Sequence, residues 1–176
     1  MTSAEDWAVR IAEAAAPEEA ELAPLWVEAF VSGGRDRSEL FSRTNSQASA
    51  FLPGDLMPVL PAVFKSLAFA APALLAMLTS DLSGKFLEAV KNAFALGEIF
   101  GKGRGWFAPA PRPDAVQAPE AVCTMLNDTL TKLDKELRPL GLDQARRDRI
   151  NLIVLRLLLE NPPDAARFVE KLAEKR

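Results

Sequence analysis

Apolar side chains recur at helical spacing along most of this chain, and one stretch is apolar on nearly every side. Ser3 and Asp6 stand at the spacing of a capping box, so a first helix is predicted through Trp7, Ile11 and Ala15. Pro17 ends that helix or occupies the first turn of the next. Leu22, Trp26 and Phe30 recur every four residues and predict one apolar face, with Pro24 implying a kink or a late start. Ser32, Gly33 and Gly34 stop this second helix. Residues 35–50 are polar and read as a loop holding one short helix near residues 38–42.

Pro53-Gly54-Asp55 is a turn signal, and the stretch from Leu56 to Leu78 follows it. Its 23 residues carry a single charge, Lys65, and three prolines, Pro58, Pro61 and Pro72. So much apolar side chain must enter a core, a partner's surface or a bilayer. Lys65 near the middle, the prolines and the abundant alanine all weaken insertion, so a core helix or helical hairpin ranks first and a partner-facing surface second. Pro61 suits a first helical turn, and Pro72 begins a second helix or kinks the first. The segments led by Pro61 and Pro72 start eleven residues apart, about three helical turns, so both present similar faces.

Phe86, Val90 and Phe94 form a further amphipathic stripe, preceded by cap candidates from Ser80 to Ser83 and closed by Gly101. Glycines at 101, 103 and 105 then give way to prolines at 109, 111 and 113, an exposed and partly stiff connector over 109–118. It separates an N-terminal helical region, 1–108, from a C-terminal three-helix unit, 119–176. In that unit Val122, Leu126, Leu130, Leu133 and Leu137 share one helix face after Pro119. Pro139 to Gly141 closes the helix, and Asp143 caps the next. From Ile150 to Leu159 only Asn151 and Arg156 interrupt the apolar run, which implies burial on most sides. Asn161 caps a last helix begun by Pro162, with Phe168, Val169 and Leu172 inward. The central helix of this unit needs cover from the N-terminal part, which favours one composite body. The fold class expected is all-α: a bundle of six to eight helices with a central apolar hairpin over 56–100.

Composition agrees with this. The chain is 49% hydrophobic and 26% charged, and tyrosine is absent. Alanine, leucine, glutamate, lysine and arginine dominate, and no segment alternates with a period of two. Net charge is −3, with nine acids against four bases in residues 1–50, and three bases with no acid in 101–113. A weakly acidic total gives no general attraction to nucleic acid or an anionic membrane. The N-terminal residues lack the basic start and apolar run of a secretory signal, so a cytoplasmic setting is expected.

The residues available restrict the chemistry. There is no histidine, which removes histidine-based triads and metal centres and the commonest general base. Cys123 is the only cysteine and sits among apolar neighbours as a small core residue, so no thiolate pair exists for zinc or iron–sulfur binding. Glu18, Glu19 and Glu21 read as a solvated helix start favoured by the macrodipole. Asn127, Asp128, Thr131 and Glu136 approach the metal-binding helix pattern of terpene cyclases. Lys135 holds the slot the final glutamate needs, so the match fails. No cofactor is expected.

Two basic groups remain as candidate interaction residues. Lys102 and Arg104 stand beside Trp106 and Phe107, a set able to stack on bases or sit at an interface. Arg146, Arg147 and Arg149 cluster at a helix start, with Asp128, Asp134, Glu136, Asp143 and Asp148 interleaved among these and nearby bases; a solvated mixed-charge face is the plainer reading. The surplus of apolar helix and the missing catalytic side chains point to a non-catalytic interaction subunit or adaptor. It would bury apolar helix surface against itself or another protein. The alternative is a small helical subunit of a nucleoprotein complex, touching phosphates through the two basic groups. A membrane-active helical protein is the third reading.

Overall fold

A computed structural model describes residues 2–42, 58–95 and 120–174, and helix formers, caps and breakers divide these described residues into eight α-helices. They are α1 (Ala4–Ala15), α2 (Ala23–Ser32), α3 (Gly34–Ser42), α4 (Val59–Leu78), α5 (Ser83–Ala95), α6 (Glu120–Leu137), α7 (Gln144–Glu160) and α8 (Pro162–Ala173). Short 3-10 turns over Pro17–Leu22 and Arg138–Leu140 join α1 to α2 and lead from α6 toward α7. No strand occurs among the described residues, and the architecture is an all-α bundle.

The long apolar stretch becomes α4, and it lies at the centre. It packs chiefly on α6 and α8, with α2 on a further side. Leu60, Val63, Phe64, Leu67, Ala70, Leu74 and Met77 are buried. The helix is long and apolar enough to cross a membrane, yet 61% of its most apolar window is covered by the rest of the fold. Lys65 escapes on the exposed side, where its Nζ meets Glu136 Oε2 on α6 at 2.7 Å and stands 5.6 Å from the Phe41 ring. Pro72 neither starts a new helix nor ends the old one. It sits on the solvent side, where water can satisfy the carbonyl that loses its amide donor. The eleven-residue spacing repeats the environment only in part: Lys65 and Ala76 are exposed, while Val63 and Leu74, Ser66 and Met77, and Leu67 and Leu78 are buried, but Pro61 is buried where Pro72 is exposed.

A buried helix start needs acceptors for its free amides. Pro58 precedes α4 and offers no capping side chain. Glu19 supplies both oxygens instead: Val59 N–H donates to Oε1 at 2.6 Å and Leu60 N–H to Oε2 at 2.8 Å. Glu19 is only 2% exposed, which corrects the expectation of a solvated acidic helix start at this position. Burial pushes its carboxyl above the ordinary range, opposed by the two N–H bonds.

Elsewhere local signals and tertiary cover divide the work. The capping box forms in both directions, with Asp6 N–H donating to Ser3 Oγ at 3.0 Å and Ser3 N–H to Asp6 Oδ2 at 2.9 Å. Pro24 falls in the first turn of α2, a late start rather than a kink. The buried face of α2 is Ala23, Val27 and Phe30, not Leu22, Trp26 and Phe30. Phe30 meets Phe64 and Phe41 edge-on, and that contact sets which side turns inward. Gly33, at φ 74°, reverses the chain straight into α3. α3 therefore begins four residues earlier than expected, steadied by the Ser38 hydroxyl on Gly34 O and by the Arg35–Glu39 pair.

In the C-terminal unit the five-residue stripe of α6 is buried as predicted, and Asp143 Oδ1 accepts from Arg146 N at 2.7 Å to cap α7. Gly141 takes the left-handed conformation that the tight reversal requires. Asn161 stands at the N-cap of α8 but does not accept a backbone bond; its Nδ2 donates to Asp164 Oδ2 at 3.1 Å. Phe168 stacks on Trp7 at 5.6 Å, joining α8 to α1. α4 and α5 follow one another through residues 79–82, but α5 packs mainly on α7. One hydrophobic core runs through helices from both halves of the chain. The Pro53–Asp55 turn, the far end of the 56–100 hairpin and the 109–118 connector lie outside the described residues.

Replacing Glu19 with alanine strands two buried amides, and we expect a loss of about 2–3 kcal/mol. The same change at exposed Glu18 should stay within about 0.5 kcal/mol. Urea unfolding of both variants checks this, and equal losses would remove the tethering role from Glu19.

Candidate interaction surface

The three arginines at the start of α7 do not share a face. Successive helical residues point about 100° apart, so Arg147 and Arg149 leave the helix on nearly opposite sides. Arg147 turns inward: Nε donates to Asp134 Oδ1 at 2.8 Å and Nη1 to the Leu142 carbonyl at 2.5 Å. Arg146 reaches Glu18 Oε1 at 3.2 Å, with both side chains partly solvated. Arg149 is exposed and, together with Arg146 one turn before it, lines a shallow groove of about 660 Å³ between the end of α1, Pro17 and the first turns of α7. Glu13, Glu18 and Asp143 line the same groove, so its charge is mixed. Lys102, Arg104, Trp106 and Phe107 lie outside the described residues.

The junction of α6 and α7 holds a polar cluster that the sequence does not announce. Asp134 accepts from Arg138 Nε at 2.7 Å on Oδ2 and from Arg147 on Oδ1. Asp148, 5% exposed, lies close enough to feel its charge, and its Oδ1 has no hydrogen-bond partner among the described residues. Asn151, one turn further along α7, is 2% exposed with an unpartnered Nδ2. Desolvation, then repulsion from Asp134, push the Asp148 carboxyl up to about 6, while Arg147 pulls it down. Asp134 and Asp148 are thus interior groups, a correction to the solvated mixed-charge face expected over this region. The two faint signals were the Asp134–Arg138 spacing of four and the interruption of the apolar run at Asn151. No group of three potential metal-ligating side chains occurs among the described residues.

The most exposed large apolar side chain among the described residues is on α2. Apart from Glu28, this ten-residue helix has no charged residue, an amount of apolar surface that usually means burial all round. Only one side is covered, by Ala23, Val27 and Phe30. On the opposite side Leu25 is 61% exposed, with Leu22 37% exposed one turn before and Trp26 half-buried beside it. Ala29 and Ser32 continue this face along the helix. Phe69 on α4 is also exposed, but Lys135 Nζ covers its ring at 4.6 Å. Leu82 and Met125 are exposed singly, as is common on protein surfaces.

Comparison with models of known protein families, with curated proteins and with solved structures finds no match to this chain in any of the three.

Asp148 gives a pH signature whose sign follows from its raised value. The native state holds a proton that the unfolded chain, at the ordinary 3.8, releases. The contribution to stability is therefore present below about pH 4 and is lost as pH rises through about 6. Asp148→Asn should stabilise the fold at pH 7.5 by about 1–3 kcal/mol, with the gain shrinking toward pH 4. Denaturant midpoints of both proteins across this range check it; a pH-independent gain would assign the effect to packing.

Proposed function

We propose that this chain is a non-catalytic helical interaction module, a subunit or adaptor that docks another protein through the outward face of α2. The observation that carries this reading is the solvated Leu25 on a helix with a single charge, with the exposed Leu22 just before that helix and the half-buried Trp26 beside it. Apolar surface of this kind is stabilised by removal from water, and a partner helix can supply the cover that the chain's own core does not. The apolar surplus inferred from sequence is thereby moved. The stretch around α4 is largely core, and the face left over belongs to α2.

The other readings draw less support. A nucleoprotein role asks for a cationic face, whereas Arg147 is turned onto Asp134 and Arg146 onto Glu18. A membrane role asks α4 to leave a core in which Leu60, Phe64, Leu67 and Leu74 are fully covered.

Leu25→Asp is the direct test. Because the side chain is largely solvated, folded stability should change by no more than about 0.5 kcal/mol. Association, followed by light scattering over a concentration series and by retention of any co-purifying protein, should be lost, together with binding of an apolar dye. A wild-type protein that is strictly monomeric, binds no dye and retains no partner would overturn the reading.

A further inference from the structure

The stripe on α2 has a charged border, and its sign selects the partner. Glu28 projects beside Leu25 on the solvent side of the helix, and Glu21 stands one turn earlier, at the end of the 3-10 turn. Both side chains are exposed, and neither forms an ion pair among the described residues. Of the two acids further back, Glu19 is buried on the start of α4, and Glu18 is half-solvated and already engaged by Arg146. The outward face of α2 therefore presents a short apolar strip edged by two exposed carboxylates that have no cationic partner among the described residues.

Resting on the interaction reading above, we infer that the occupant of this face is an amphipathic helix of a different protein. Its apolar stripe is flanked by lysine or arginine. Ala29 and Ser32 are small, so a helix can lie close along α2, with apolar side chains at positions i, i+3, i+4 and i+7 settling around Leu25 and against Trp26. Basic residues on the flank of that helix then meet Glu21 and Glu28. At the rim of an interface such charges set orientation and exclude wrong partners more than they add affinity.

A second copy of this chain fits the same face poorly. If two α2 helices pack antiparallel about Leu25, Glu21 and Glu28 of one copy come beside Glu28 and Glu21 of the other. If they pack parallel, each glutamate faces its own equivalent. Either arrangement brings four uncompensated carboxylates to the border of a small apolar contact, and like charges there oppose association.

The test uses the full-length protein as bait for a displayed library of helical peptides. The library has a fixed leucine stripe and randomised flanking positions. Selected binders should be enriched in lysine and arginine at the flanks, and Leu25→Asp, checked for folding by circular dichroism, should weaken them at least tenfold. The double variant E21K/E28K should weaken the same peptides about tenfold and reselect acidic flanks. Binders that depend on Leu25 but carry neutral or acidic flanks would overturn the inference and leave the docking face standing. Binders indifferent to Leu25→Asp, or none at all, would remove both. A wild-type protein that dimerises through Leu25 would replace the foreign helix with a second copy and also overturn the inference.

Discussion

Val59 and Leu60 open a helix whose first amides are shut away from water, and a carboxylate forty residues upstream receives them. The rest of the architecture hangs on that arrangement. α4 has one charge in twenty residues, so α2, α6 and α8 must gather round it. Its entry point can be buried only if something polar comes with it, and the 3-10 turn after α1 brings Glu19 to that place. One side chain thus settles both where the central helix begins and how the N-terminal helices sit against it.

The remaining buried charges follow a different logic. At the α6–α7 junction, Asp134 accepts from two arginines, while Oδ1 of Asp148 beside it has no hydrogen-bond partner among the described residues. Arg147 belongs to this interior group while Arg146 and Arg149 face solvent one turn apart. The helical turn thus splits the three nearly adjacent arginines, and the outward pair shares its groove with Glu13, Glu18 and Asp143.

Much of the fold was legible because its signals are local. The Ser3–Asp6 box, the Asp143 cap, the reversal at Gly141 and the α6 leucine stripe each depend on residues within a few positions of one another. The misplacements occur where a distant element decides. Glu19 looks like any acid in a first turn, and only the amides of α4 make it an interior group. The spacing of Leu22, Trp26 and Phe30 is genuinely helical. Yet the side of α2 that turns inward is chosen by Phe64 and Phe41 around Phe30, which leaves Leu25 outside. α3 extends back to Gly34 because the turn at Gly33 is tighter than a polar run suggests. The candidate surface was read from sequence as a quantity of apolar helix; its address needed three dimensions.

Lys65 extends from α4 to Glu136, and Lys135, next to that glutamate, extends from α6 back over Phe69. Each helix thus lends a cation to the other along a shared seam. A slip of one turn, about 5.4 Å, would carry both ammonium groups away from their seats together.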